Sequence, residues 1–160
     1  MPTRLIIFLL GAVLTLSTTV HAQSMKVPAK KWNKGYIPKG LPKIYFGMPL
    51  ATFIAGQSDY EDVSDETYTF RRVLLQKFAD KDYEAIVYYF DEDGDKPLYE
   101  LLIIYPERVD VNRLARQYYG KPNKDDEWYW EHKNGYPVNI WVFKQKLVIA
   151  GVMPGTEWVD

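Results

Sequence analysis

The five residues Asp91-Glu92-Asp93-Gly94-Asp95 put four carboxylates into one turn, a density that could attract a hard cation. A calcium loop needs oxygen ligands at positions 1, 3 and 5, a glycine at 6 and a bidentate glutamate at 12. Counted from Asp91 the first three fit, but position 6 is Lys96 and position 12 is Leu102. The run therefore reads as a solvated acidic turn, and no metal site is expected. His132 is the only histidine after residue 22, and the chain has no cysteine, so multi-histidine and thiolate zinc sites are excluded. A Ser-His-Asp arrangement would have to use Ser24, Ser58 or Ser64, none of which stands in a nucleophile-elbow sequence. Glu127 and Glu131 share one face of a candidate strand, yet four strand steps separate them by ~13 Å. That is too far for either usual geometry of glycosidase carboxylates. No catalytic residue and no cofactor are expected.

Aromatic side chains are the better candidates for function. They make up 16% of the chain, with 13 tyrosines and 5 tryptophans, more than one small core requires. Strand alternation separates Trp128 and Trp130 from Tyr129, which shares its face with Glu127 and Glu131. The two indoles are expected to fill the space under a helix, near Leu114 and Tyr118. Tyr129, Glu127 and Glu131 are then the candidate binding surface, since Tyr and Trp dominate binding hot spots. A second candidate is the hairpin carrying Tyr88–Phe90 and Tyr99–Tyr105, with Tyr99 and Tyr105 as its binding residues. Both of its faces are apolar, so it is either sandwiched in the protein or part of an interface.

These residues need a scaffold, and the chain reads as follows. Arg4, an apolar run over Leu5–Leu14 and the small-residue end Val20-His21-Ala22 make residues 1–22 a secretory signal peptide cleaved between Ala22 and Gln23. The apolar run is about half the ~20 residues of a spanning helix, so no membrane anchor is expected after cleavage. The leader contains Arg4 and no acid, so 20 basic and 21 acidic residues become 19 and 21, a formal charge of −2. A near-neutral protein of this kind is not a general nucleic-acid binder. Residues 23–43 carry Lys26, Lys30, Lys31, Lys34, Lys39 and Lys43 among prolines and glycines, an extended arm. Residues 44–160 form a single domain. Pro49 opens a short helix with Leu50, Phe53 and Ile54 on one face. Asp110 caps a second, with Val111, Leu114, Ala115 and Tyr118 at helical spacing, ended by Gly120 and Pro122. Strands are expected over Thr67–Lys77, Tyr83–Phe90, Leu98–Tyr105, Glu127–His132, Tyr136–Phe143 and Lys146–Val152. Asp93-Gly94 and Asn134-Gly135 mark hairpin turns. Helix–strand–strand–strand thus occurs twice, over about 44–107 and 108–153. The expected fold is α+β: two tandem helix–three-strand antiparallel meander units with helices packed on one sheet face.

Gly47-Met48 before the first helix, Phe90-Asp91 with Asp93-Gly94 at the hairpin, and Gly120-Lys121-Pro122 followed by Trp128-Tyr129-Trp130 carry a resemblance. Over residues 44–152 the chain resembles the β-lactamase-inhibitor-protein-like superfamily of small exported bacterial proteins, which includes the SmpA/OmlA-type outer-membrane assembly lipoproteins. It departs from those lipoproteins in having no cysteine to acylate. The resemblance implies a non-catalytic protein that binds other proteins. The expected function is accordingly an exported, periplasmic or secreted, protein-binding domain whose partner is another envelope or secreted protein. The alternative is a small carboxylate-dependent hydrolase acting on cell-envelope carbohydrate.

Overall fold

The computed structural model describes residues 37, 38, 41, 43–131 and 135–159. The leader expected over 1–22, most of the arm expected over 23–43, and His132 and Asn134 lie outside the described residues. Helix α1 (Leu50–Gly56) precedes strands β1 (Tyr60–Asp62), β2 (Arg71–Lys77), β3 (Ala85–Asp91) and β4 (Leu98–Ile104). Helix α2 (Val111–Tyr119) precedes β5 (Trp128–Trp130), β6 (Val138–Phe143) and β7 (Lys146–Gly151). All the strands lie in one antiparallel sheet of seven, in the spatial order β1-β2-β3-β4-β7-β6-β5.

This corrects the expected α+β layout of two tandem helix–three-strand meander units. The described residues are mostly sheet with two short helices, and their halves contribute four and three strands to one sheet. The reason lies at the strands that end each half. β4 and β7 would otherwise leave open edges of unpaired N–H and C=O groups. They pair with each other instead, setting Leu101 opposite Ile149 and Ile103 opposite Leu147. Short links dictate pairing within a meander but not which free edges meet. The extra strand β1 lies in the acid-rich run after Gly56, where no strand was expected. It is short and charged, and Glu61 pairs with Lys77 Nζ of β2 at 3.2 Å, while Asp62 pairs with Arg72.

Both helices end up on the same side of the sheet. Only Phe53 of α1 is buried, its ring 4.6 Å from Tyr88 and 5.3 Å from Phe90, while Ile54 turns to solvent. In α2 the Asp110 carboxylate accepts from the Arg113 N–H at 3.0 Å, and Gly120 closes the helix at φ 81°. Its inward residues are Val111, Ala115 and Tyr119, one helical turn apart, rather than Tyr118, which is 48% exposed. Tyr119 therefore takes the place expected for Tyr118, with ring centres 5.8 Å from Trp128 and 5.5 Å from Trp130. The Trp128 indole also donates to the Gly120 carbonyl at 3.0 Å, giving the helix end a partner for an otherwise orphaned acceptor. Between helices and sheet lie Leu74, Ile86, Tyr88, Phe90, Leu101, Ile103, Ile140, Leu147 and Ile149. Burying each such side chain contributes ~1.5–3 kcal/mol. The polar members of this layer are satisfied, as the Tyr88 hydroxyl donates to Gln76 Oε1 at 2.8 Å and Gln76 Nε2 donates to the Ser58 carbonyl at 3.0 Å. At Gly151 the Phe46 ring lies so close that an added Cβ would sit 2.8 Å from its Cγ.

Candidate functional site

Among the described residues the opposite face of the sheet carries no helix. Cross-strand register sets Val73, Tyr89, Glu100, Ala150, Asn139 and Tyr129 in one row across six strands on that face. A bulge interrupts the β3–β4 ladder at Tyr89/Phe90, so Phe90 pairs with Leu98 and Tyr99 is left as the extra residue. Such bulges re-aim side chains. Tyr99 and Glu100 consequently both serve the helix-free side, although they are adjacent in a strand. The Tyr99 ring lies 6.4 Å from that of Tyr89, and its hydroxyl donates to Glu157 Oε1 at 3.0 Å.

Glu157 belongs to the segment after β7, residues 152–159, which crosses this end of the face as a strap. Arg71 Nη1 of β2 approaches the same carboxylate at 3.4 Å. The Arg71 guanidinium lies 5.0 Å from the ring centre of Tyr68, 5.3 Å from Phe70 and 5.3 Å from Tyr89, within cation–π range of three rings. Tyr68 and Phe70 pack edge to face at 5.9 Å and are 46% and 49% exposed. Trp158 of the strap meets Trp141 of β6 edge-on at 5.1 Å, and it is one of the groups that act on the Glu100 carboxyl.

Glu100 is the unusual member. It is 6% exposed, and its Oε2 has no hydrogen-bond partner. Burial, then the nearby Glu157 carboxylate, push its pKa up to about 8, against the smaller opposing effects of Trp158 and Arg71. The carboxyl thus holds its proton at neutral pH, which turns one oxygen into a donor. Asn139, one strand beyond Ala150 in the same row, has an Oδ1 that also lacks a partner. Burial also raises the Tyr99 and Tyr89 hydroxyls, with Glu157 and Glu100 respectively adding to the effect.

Of the binding residues expected from sequence, Tyr129, Glu127 and Tyr99 share this side, with Tyr99 on β4 three strands away from Tyr129 on β5. Tyr129 is half-buried, with Lys124 Nζ 5.5 Å from its ring centre and burial, then Glu131, raising its hydroxyl. Glu127 Oε2 accepts from Asn139 Nδ2 at 3.0 Å. Glu131 is exposed just past β5. Tyr105 is elsewhere: it shares the helix-side face with Leu101 and Ile103 and is buried, its ring 6.4 Å from Tyr83. Sequence reasoning missed Arg71, Glu100, Trp141, Glu157 and Trp158. Only Glu100 left a signal, as the single acid in the apolar strand Leu98–Ile104.

Among the described residues no group of three or more His, Asp or Glu side chains could hold a metal ion. The face offers aromatic surface, one fixed guanidinium and a proton-bearing carboxyl closed off by the strap, a set suited to recognition. No protein-family model, curated protein or solved structure matches the chain.

Proposed function

We propose that the protein is an exported, non-catalytic binding domain that recognises another envelope or secreted protein with the helix-free face of its sheet. The observation that carries this reading is the half-exposed Tyr68–Phe70 pair bracketing Arg71 at the edge of that face. Tyr and Arg are enriched at binding hot spots. An Arg held by three rings has already lost much of the side-chain freedom that binding would remove. The resemblance to small exported proteins that bind other proteins supports the same reading, as does the leader expected at residues 1–22.

The test is capture of partners from the native envelope extract by the mature protein, compared with a Tyr68→Ala/Phe70→Ala variant. Both side chains are largely exposed, so each replacement should change stability by ~0.5 kcal/mol or less. A partner captured by the unaltered protein should be lost by the variant. Equal recovery of the same partners would refute the assignment of this face.

One observation favours a second reading, a carboxylate-dependent hydrolase of cell-envelope carbohydrate. Glu100 holds a proton beside the Glu157 carboxylate, and such divergent pairs supply acid and base in glycosidases. With Glu100 Oε2 buried under the strap, the acid is not presented to a substrate. Release of reducing ends from peptidoglycan by the unaltered protein, and not by Glu100→Gln, would establish this alternative.

A further inference from the structure

The strap itself indicates what the face can read. We propose that the strap end of the helix-free face is a seat for an adjacent acid–aromatic pair of a partner protein, and that Glu157 and Trp158 occupy it in the unbound molecule. This rests on the binding function proposed above and specifies its ligand.

The seat discriminates by chemistry at two points. Its acid pocket consists of the Tyr99 hydroxyl, 3.0 Å from Glu157 Oε1, and Arg71 Nη1, 3.4 and 3.5 Å from the two carboxylate oxygens. Its ring pocket consists of the Trp141 indole, 5.1 Å from that of Trp158, with the buried Glu100 carboxyl beside it. Charge complementarity fixes the order of preference: a carboxylate belongs beside Arg71, and an aromatic ring belongs beside Glu100. The receiving groups also have supports outside the strap. Tyr68, Phe70 and Tyr89 position Arg71, while Tyr99 and Glu100 are embedded in β4.

The two occupying side chains stay partly open to solvent, although Met153 and Thr156 beside them are buried. The Glu157 side chain is 29% exposed, and Trp158 is 39% exposed. Among the described residues Val152 N donates to the Pro137 carbonyl at 2.7 Å at the root of the strap, and beyond it the strap's backbone hydrogen bonds run within the strap, from Thr156 N to the Met153 carbonyl at 3.2 Å and from Val159 N to the Thr156 carbonyl at 3.1 Å. No backbone bond ties Glu157 or Trp158 to the sheet, so side chains decide what fits there. A partner segment carrying the same two side chains in sequence can therefore replace the strap.

The probe is a dye-labelled hexapeptide, Pro-Gly-Thr-Glu-Trp-Val, added to the mature chain in which Glu157→Ala and Trp158→Ala vacate the seat. Fluorescence anisotropy should show binding at least about tenfold tighter than to the unaltered protein, and a similar loss when the peptide's Glu or Trp is replaced by Ala. Adding Arg71→Ala to the vacated protein should abolish binding. A vacated variant of native circular dichroism that ignores the peptide, or binds it regardless of its Glu and Trp, overturns the proposal. The unaltered protein supplies an arm independent of that variant's folding. Millimolar unlabelled peptide should move the Trp158 indole N–H resonance toward that of free tryptophan, and an unmoved resonance also overturns the proposal. If the peptide fails while Tyr68→Ala/Phe70→Ala still loses its captured partner, the acid–aromatic specificity falls and the binding face stands.

Discussion

Replacing Glu100 by Gln should make the protein more stable at neutral pH, although it removes a charged residue type from the heart of the candidate site. The folded-state pKa is about 8, against an ordinary value of 4.5. At pH 7 the unfolded chain therefore ionises Glu100 while the folded protein must keep it protonated. The mismatch spans 2.5 pH units above the ordinary value of 4.5, and at ~1.36 kcal/mol per unit it costs about 3 kcal/mol. Below about pH 4.5 both states bind the proton and the cost vanishes. As pH rises toward 8 the folded state alone retains it, so stability falls. Above the folded pKa both states are ionised and the slope ends. Gln titrates nowhere in this range, keeps an acceptor beside the Trp158 side chain, and offers N–H donors to the Asn139 row. Urea unfolding of both proteins between pH 4 and pH 9 should give curves that diverge by up to ~1.4 kcal/mol per pH unit through the middle of the window. A constant difference between them, or a Gln variant less stable at pH 7, would refute the neutral buried carboxyl.

Two further stability measurements probe the framework. Trp128→Ala should cost ~3–5 kcal/mol, the usual loss for a buried aromatic, whereas Tyr129→Ala, half-buried on the other face, should cost about 1 kcal/mol or less. Denaturant midpoints decide this, and equal large losses would mean β5 is buried on both sides. Gly151→Ala should cost ~1–3 kcal/mol, because its Cβ must push into Phe46. Loss of less than a few tenths, read from thermal midpoints, would show that Phe46 yields freely.

Local chemistry was legible in the sequence because it is local. Asp110 and Gly120 bracket α2, Pro49 precedes α1, and the Asp-Gly turn joins β3 to β4, each through a backbone preference confined to a few residues. Antiparallel pairing between chain neighbours followed from short links for the same reason. The expected division into two tandem meander units was wrong, because the β4–β7 register is a contact between residues far apart in the chain that no nearby residue announces. The inward Tyr119 was displaced by a reading that stopped at the second helical turn. β1 was hidden by its acids, which are tolerated in a strand because Arg72 and Lys77 reach Asp62 and Glu61 diagonally from β2. At the candidate site, Tyr129 and Tyr99 could be marked by residue type. Their companions Arg71 and Glu157 come from opposite ends of the domain, and only the folded sheet brings them within 3.4 Å.

The β4–β7 seam gives the molecule a natural line of division. The other ladders join strands that are neighbours in sequence, so cutting the connection after Tyr105 would leave each ladder except the seam inside one fragment. Residues up to the cut and residues beyond it should behave as complementary pieces that reassemble when mixed. Each fragment alone would expose one long apolar edge, β4 or β7, able to pair with a copy of itself. Co-expression should therefore rescue the solubility of two halves that precipitate separately. The same edges mark the moment of greatest aggregation risk as the intact chain folds, between completion of the first meander and arrival of β7.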